Sequence, residues 1–224
     1  LVDITNYVSF DLGRPLHVFD ADKVKGDLTM RYARNDEEFM ALDEETYKLS
    51  ESMVVISDDN GVQGLGGVMG GLNSGCSHET TNMFLEVALF DPTSIAITGR
   101  KSGILSDARY RFERTVDSQS ADWGVDVATR MVLDLCGGEV SKVTSAGSIP
   151  SEKRVIELRP NRIKDLCGVA VEKDKQIEIL SILGFDVTEK DGLILATVPS
   201  WRHRVHAPAH RPSDQSGLRA PSTL

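Results

Sequence analysis

The sequence predicts an α+β protein. A layered β–β–α body with a mixed sheet should cover residues 1–150, and a small α/β unit with a helix-turn-helix-like arrangement residues 151–202. A loose, disordered tail should cover 203–224. Three observations carry this. Short apolar runs such as Met53–Ser57 are bounded by turn residues, as strands are. Asp91-Pro92 and Gly137-Gly138 mark a helix start and a helix stop. Gly61–Gly75 places seven glycines in fifteen residues between strand-like runs, a density that requires positive φ angles or close approach of the backbone.

Leu1 opens directly into a strand-like pattern, which suggests a piece of a longer polypeptide. Leu28–Ala33 and Met53–Ser57 read as strands, separated from the glycine segment by the turn Asp58-Asp59-Asn60-Gly61. The glycine segment is not a P-loop, because no Gly-Lys-Ser/Thr follows. Nor does a βαβ pattern surround it, so a dinucleotide fingerprint fails as well. Asp91 as N-cap and Pro92 at the first position start a helix that runs to about Lys101 and stops at Gly103. A second helix, about Ser120–Leu135, repeats Trp123, Val127 and Met131 at four-residue spacing, which predicts core; Cys136 reads as a helix-end core residue.

Beyond the Ser- and Gly-rich stretch Thr144–Ser151 the pattern changes. A strand at Val155–Leu158 leads to a short helix at Pro160–Leu166 that ends at Gly168. An amphipathic helix at Lys173–Leu183 stops at Gly184. Phe185–Val187 and Leu193–Val198 then pair as a hairpin across Lys190-Asp191-Gly192. From His203 the chain is rich in His, Arg and Pro, a composition that predicts disorder. His203, His206 and His210 rest on no helix, because Pro208 and Pro212 interrupt it, so no metal is expected there.

Composition narrows the function. A net charge of −9 argues against wrapping nucleic acid by bulk electrostatics, although basic residues cluster at Arg100-Lys101, Arg109–Arg114 and Arg159–Lys164. No apolar run is long enough to span a bilayer. Cys76, Cys136 and Cys167 lack C-x-x-C spacing and read as reduced thiols of a cytosolic protein. Two ionisable residues stand out. His17 follows the Gly-Arg-Pro-Leu turn, and Glu86 interrupts the apolar run Phe84–Phe90. Taken singly, each reads as an edge charge or a satisfied core histidine. A carboxylate in an apolar run either faces water or has a partner that offsets burial. With the glycine segment between them, the two suggest a pocket.

The runs LVDITNYVSFDLGRPLHVFDADKVKG, LGGVMGGLNSG, ETTNMFLEVALFDPTSI and SDARYRFERTVD follow one another in an order that resembles the B3/B4 region of bacterial phenylalanyl-tRNA synthetase β subunits. RVIELRPNRIKDLCGV, ILSILGFDV and LILATVPSWR resemble the start of the B5 domain that follows it. The resemblance implies a ligase whose α subunit joins phenylalanine to tRNA(Phe) with ATP and magnesium, so the aminoacylation site lies outside this chain. It implies a cytoplasmic heterotetramer that binds the tRNA acceptor end, with no membrane association. For this region it implies hydrolytic editing of tyrosine attached by mistake, with no cofactor of its own.

Carried over by motif, His17, Thr5 and Ser106 become the catalytic set, and Glu86, Gly70 and Ala108 the substrate-binding set. Glu86 would accept the tyrosine phenol. His17 would orient the ester or the attacking water, or act as general base. Backbone N–H groups of Gly66–Gly71 would approach the ester oxygens. Three positions depart from the family pattern: Ser106 stands for threonine, Arg109 for serine and Thr115 for glycine. Arg109 is expected either at the tRNA terminus or on the surface. The acidic helix that follows PSWR in the family is replaced by the tail, so the B5-like part should be incomplete and metal-free. The competing reading is a non-catalytic module that contributes tRNA and subunit contacts within the same synthetase.

Overall fold

The computed structural model describes residues 1–150 and 153–205. The chain divides into two compact units, Leu1–Glu152 and Lys153–Leu224. The rest of the expected tail, with His206 and His210, lies outside the described residues.

The first unit opens with helix α1 (Val2–Asp11), where the sequence reads as a strand. Its β-branched residues Val2, Ile4, Thr5 and Val8 favour a strand by propensity. Three of them, Ile4, Thr5 and Val8, are buried, and that spacing lies on one helical face. Tertiary packing therefore overrides propensity. Strand β1 (His17–Asp20) follows the Gly-Arg-Pro-Leu turn. Next come β2 (Thr29–Tyr32), β3 (Glu38–Met40), β4 (Thr46–Lys48), β5 (Val54–Asp58), β6 (Gly61–Leu65), β7 (Met69–Gly70) and β8 (Met83–Glu86). β2, β5, β6 and β7 form one sheet in that order, β3 pairs with β4, and β1 pairs with β8.

The α+β class holds, but every pairing among the described residues is antiparallel rather than mixed. No helical crossover of the kind that joins parallel neighbours links these strands.

The glycine-rich segment is a hairpin, not an open loop. Gly67, at φ 67°, turns the chain between β6 and β7. The N–H groups of Gly66, Val68 and Gly71 donate to the carbonyls of Val54, Leu65 and Gln63. Those donors are committed to the fold, so the expected oxyanion-binding role does not belong to them.

Helix α2 (Pro92–Ser102) has the expected ends. Asp91 accepts from the Ser94 N–H at 2.7 Å, and Gly103 closes the helix at φ 73°. The sequence reading lacks the short α3 (Asp107–Phe112), capped by Ser106. Helix α4 (Ser120–Cys136) buries Ser120, Gly124 and Ala128, not the expected Trp123, Val127 and Met131. A hypothetical Cβ on Gly124 would lie 3.2 Å from Cγ of Arg14 and 3.3 Å from Cγ1 of Val87. The small residues therefore face the protein, and Trp123 turns outward. Cys136 is exposed, not core.

The main core joins Phe39, Val55, Leu65 and Val68 from the strands to Ile95, Ile104 and Phe112 from the helical part. Phe90 and Phe112 meet edge to face across it, with centroids 5.1 Å apart.

In the second unit, β9 (Val155–Leu158), α5 (Arg162–Cys167), α6 (Lys173–Ile182), β10 (Asp186–Lys190) and β11 (Leu193–Thr197) follow in turn. The sheet order is β10-β11-β9. Asp191 and Gly192 both take positive φ, which is the two-residue hairpin geometry that Asp-Gly favours. Of α6, expected to be amphipathic, only Gln176 is buried, while Ile179, Ile182 and Leu183 are exposed.

Candidate functional site

The pairing of β1 with β8 sets His17 directly opposite Glu86. Directly opposed residues of an antiparallel pair project from the same face, with Cβ atoms about 4.5–5.5 Å apart. The two ionisable residues that interrupt the sequence pattern therefore meet, although they lie far apart along the chain.

Glu86 is closely surrounded by protein yet keeps partial solvent access. Burial pushes its carboxyl up to about 7, with the positive charge of Arg14 opposing the rise. No described donor reaches its oxygens. The carboxylate is a half-buried acceptor whose oxygens bond no described protein donor and keep contact with solvent.

The imidazole of His17 is held edge-on to Phe19, with centroids 4.4 Å apart. Its Nε2 is buried without a hydrogen-bond partner. Burial pushes His17 down to about 4, so the ring is neutral at physiological pH. Gly70 passes directly beside it: a hypothetical Cβ there would lie 2.2 Å from Cε1 of His17. This glycine is required by close approach. His17, Gly70 and Glu86 thus come together.

Ser106 and Ala108 enter through α3. The Ser106 hydroxyl donates to the Val68 carbonyl, two residues before Gly70, and accepts from the Arg109 N–H. Both of these bonds are structural. Ala108 packs on the core. Thr5 is buried in α1, and its hydroxyl donates to the Val2 carbonyl at 2.8 Å; that bond ties it to its own helix rather than to the His17–Glu86 pair. Arg109 is neither a surface residue nor a free cation: it donates to Glu113 and to the carbonyls of Gly99 and Ile104.

One residue of the site escapes the sequence reading. Arg14 has no solvent exposure (0%). Its Nη2 donates to the Ala88 carbonyl at 2.6 Å, whereas Nε and Nη1 are buried and bare. Burial lowers it to about 10, with Glu86 and then Asp117 opposing; it stays cationic. The only sequence signal was the demand of Glu86 for a partner. A polar depression of about 650 Å³ lined by Lys23, Glu38, Asn60, Gln63 and Asn73, among others, contains none of these residues. Among the described residues no cluster of His, Cys, Asp and Glu could hold a metal ion. No described helix is long and apolar enough to cross a membrane.

Residues 1–137 match the family model described as the B3/4 domain. The chain belongs to the B3/4 domain family. Behind the B3/4 domain, residues 156–210 match the tRNA synthetase B5 domain, and this match reaches into the stretch expected as tail. The chain is similar to phenylalanine–tRNA ligase β subunits. It is 50% identical to that of Brucella abortus (strain 2308) over 93% of this chain and 26% of the relative. It is 54% identical to that of Rhodospirillum rubrum over 90% of this chain and 26% of the relative. The chain thus spans about a quarter of the length of these curated relatives. A crystal structure of an N-terminal fragment of the phenylalanyl-tRNA synthetase β subunit from Pyrococcus horikoshii is similar at a TM-score of 0.43 and 15% identity. It covers 92% of this chain and 61% of that one. A score at that level carries no weight for the fold, which rests on the B3/4 elements themselves.

Proposed function

We propose that the B3/4 part of this chain is the proofreading site of a phenylalanine–tRNA ligase and hydrolyses tyrosine wrongly esterified to tRNA(Phe). The single observation behind this reading is the half-buried carboxylate of Glu86, which has no protein donor among the described residues and stands opposite His17. Tyrosine and phenylalanine differ by one hydroxyl, and an apolar synthetic pocket rejects an added hydroxyl poorly. A second site must therefore prefer the molecule that carries it. A phenol O–H donates to Glu86, whereas a bare ring leaves the acceptor desolvated and unpaired. That mismatch costs about 1–3 kcal/mol, more for a charged group, which is roughly tenfold or greater discrimination.

Hydrolysis proceeds by direct attack of a positioned water, since among the described residues no Ser-His-Asp or cysteine arrangement offers a covalent nucleophile. The low basicity of His17 favours an orienting role for its neutral ring over general-base work, which is strongest when the pKa lies near the operating pH. The α subunit, ATP and magnesium belong to the aminoacylation half of the whole ligase in this reading. The test compares deacylation of Tyr-tRNA(Phe) and Phe-tRNA(Phe). Glu86→Ala should lose preference for the tyrosyl ester, and His17→Ala should lose rate. Unchanged preference in the first variant sinks the role of Glu86; a full rate in the second removes His17.

A further inference from the structure

We propose that Arg14 is the positioning residue for Glu86: a wholly buried guanidinium that pins the backbone just past the acid and sets its positive charge on the side of the carboxyl that accepts the phenol. The inference rests on the proofreading reading of the site and adds a specificity residue to it.

A guanidinium carries five N–H donors, and one that serves only as an internal cross-link finds partners for most of them. Arg14 is wholly buried, donates from Nη2 to Ala88, and leaves Nε and Nη1 bare. Ala88 lies two residues beyond Glu86, so the bond tethers the end of β8 that carries the acid. The Phe112 ring lies 5.8 Å from Cζ, and Gly124 packs beside the stem.

Arg14 and Glu86 make no ion pair within 4.0 Å. The positive charge of Arg14 opposes the rise that burial gives Glu86, as a neighbouring charge without direct contact. The titratable and charged groups around them are few. His17 faces Glu86 from β1 and is neutral. Asp117, beyond α3, acts on Arg14. Asp122 and Asp126 on α4 are exposed to solvent. No other described cation acts on Glu86. A buried carboxylate left without its cation takes up a proton rather than stay charged.

The decisive experiment is a ¹³C NMR titration of the Glu86 carboxyl in the full chain, assigned with Glu86→Gln. Arg14→Gln should raise the titration midpoint by about one pH unit or more, and Arg14→Lys should keep it within about half a unit of wild type. In the ligase, the preference for Tyr-tRNA(Phe) over Phe-tRNA(Phe) in Arg14→Gln should move to the same higher pH. A residue that only props the fold lowers the rate at every pH and leaves both midpoints in place; that result overturns the proposal. Should Arg14→Gln fail to fold, the double variant Arg14→Gln/Glu86→Gln should fold, because a neutral amide needs no cation. A double variant that also fails refutes the pairing. The titration reads Arg14 and Glu86 directly. A moved midpoint in a wild-type ligase that shows no preference for the tyrosyl ester therefore supports the Arg14 assignment and overturns the proofreading reading instead.

Discussion

Replacing Glu86 by glutamine should stabilise the protein, by an amount that depends on pH. An ordinary glutamate titrates at 4.5; in the fold, burial moves Glu86 to about 7. Ionised Glu86 therefore costs about 3 kcal/mol relative to its protonated form. The sign follows from proton counts. Between 4.5 and about 7 the folded chain holds this proton and the unfolded chain has released it, so stability falls as pH rises. His17 acts in the opposite sense. Its folded value of about 4 lies below the ordinary 6.5, so the unfolded chain binds the extra proton and stability rises with pH across that interval. The two slopes oppose one another between 4.5 and 6.5.

Glutamine mimics the protonated acid at every pH. Glu86→Gln should therefore match wild type near pH 4 and exceed it by about 3 kcal/mol near pH 8. Its stability should climb through the His17 interval that the wild type flattens. Urea denaturation at a series of pH values, followed by far-UV circular dichroism, measures this directly. A difference between the two proteins that is the same at both ends of the series would refute the burial of Glu86.

Three further outcomes follow from individual contacts. Gly70→Ala drives a methyl into the His17 ring; the ring can swing away, so stability should drop by only about 1 kcal/mol while tyrosyl-ester hydrolysis falls at least as far as in His17→Ala, read by deacylation rates beside a melting curve. Thr115 holds φ 75° on the surface, a left-handed conformation that penalises a branched side chain by about 1–2 kcal/mol, so Thr115→Gly should gain about 1 kcal/mol in urea unfolding and Thr115→Val nothing. Asp91→Ala removes the acceptor for the Ser94 N–H and should cost about 1 kcal/mol, measured in the same way.

What could be read in the sequence was what local chemistry decides. Asp91-Pro92 and Gly103 bound α2, and Asp191-Gly192 turns the second unit's hairpin, because a cap or a turn is settled by the few residues that form it. The β-branched start of the chain misled because Ile4, Thr5 and Val8 gain more from burial on one helical face than propensity gives to a strand. In α4, hydrophobicity pointed to Trp123, Val127 and Met131, but contact with Arg14 and Val87 leaves room only for the small face at Gly124. The glycine segment was legible as a place of close approach; its hairpin hydrogen bonds, which use the Gly66, Val68 and Gly71 N–H groups out of the six expected to face an ester, were not. His17 and Glu86 could each be suspected from the apolar or turn context that surrounds them. Their register across β1 and β8 depends on a pairing between distant segments, which no local pattern encodes.

Arg14 marks the limit of sequence reasoning most clearly, because nothing in Gly-Arg-Pro-Leu says that its arginine goes inside. Its burial also bears on why the site exists. Among the described residues of the first unit, three of the four buried side-chain atoms without a partner belong to Arg14 and His17; the fourth is a serine hydroxyl. Other polar groups of that unit withdrawn from water have partners, among them Asp20 with Thr80, Ser106 with Val68 and Arg109 with Glu113. Unmet polar demand is therefore concentrated around one strand pair, where it carries a real penalty in the free protein. Selection for stability alone would remove it, since an apolar replacement of a buried charge is often neutral or better. A bound molecule that brings its own hydroxyl and ester oxygens gives that demand a use, and the free protein then holds open, at a cost to its own stability, the hydrogen bonds its ligand will complete.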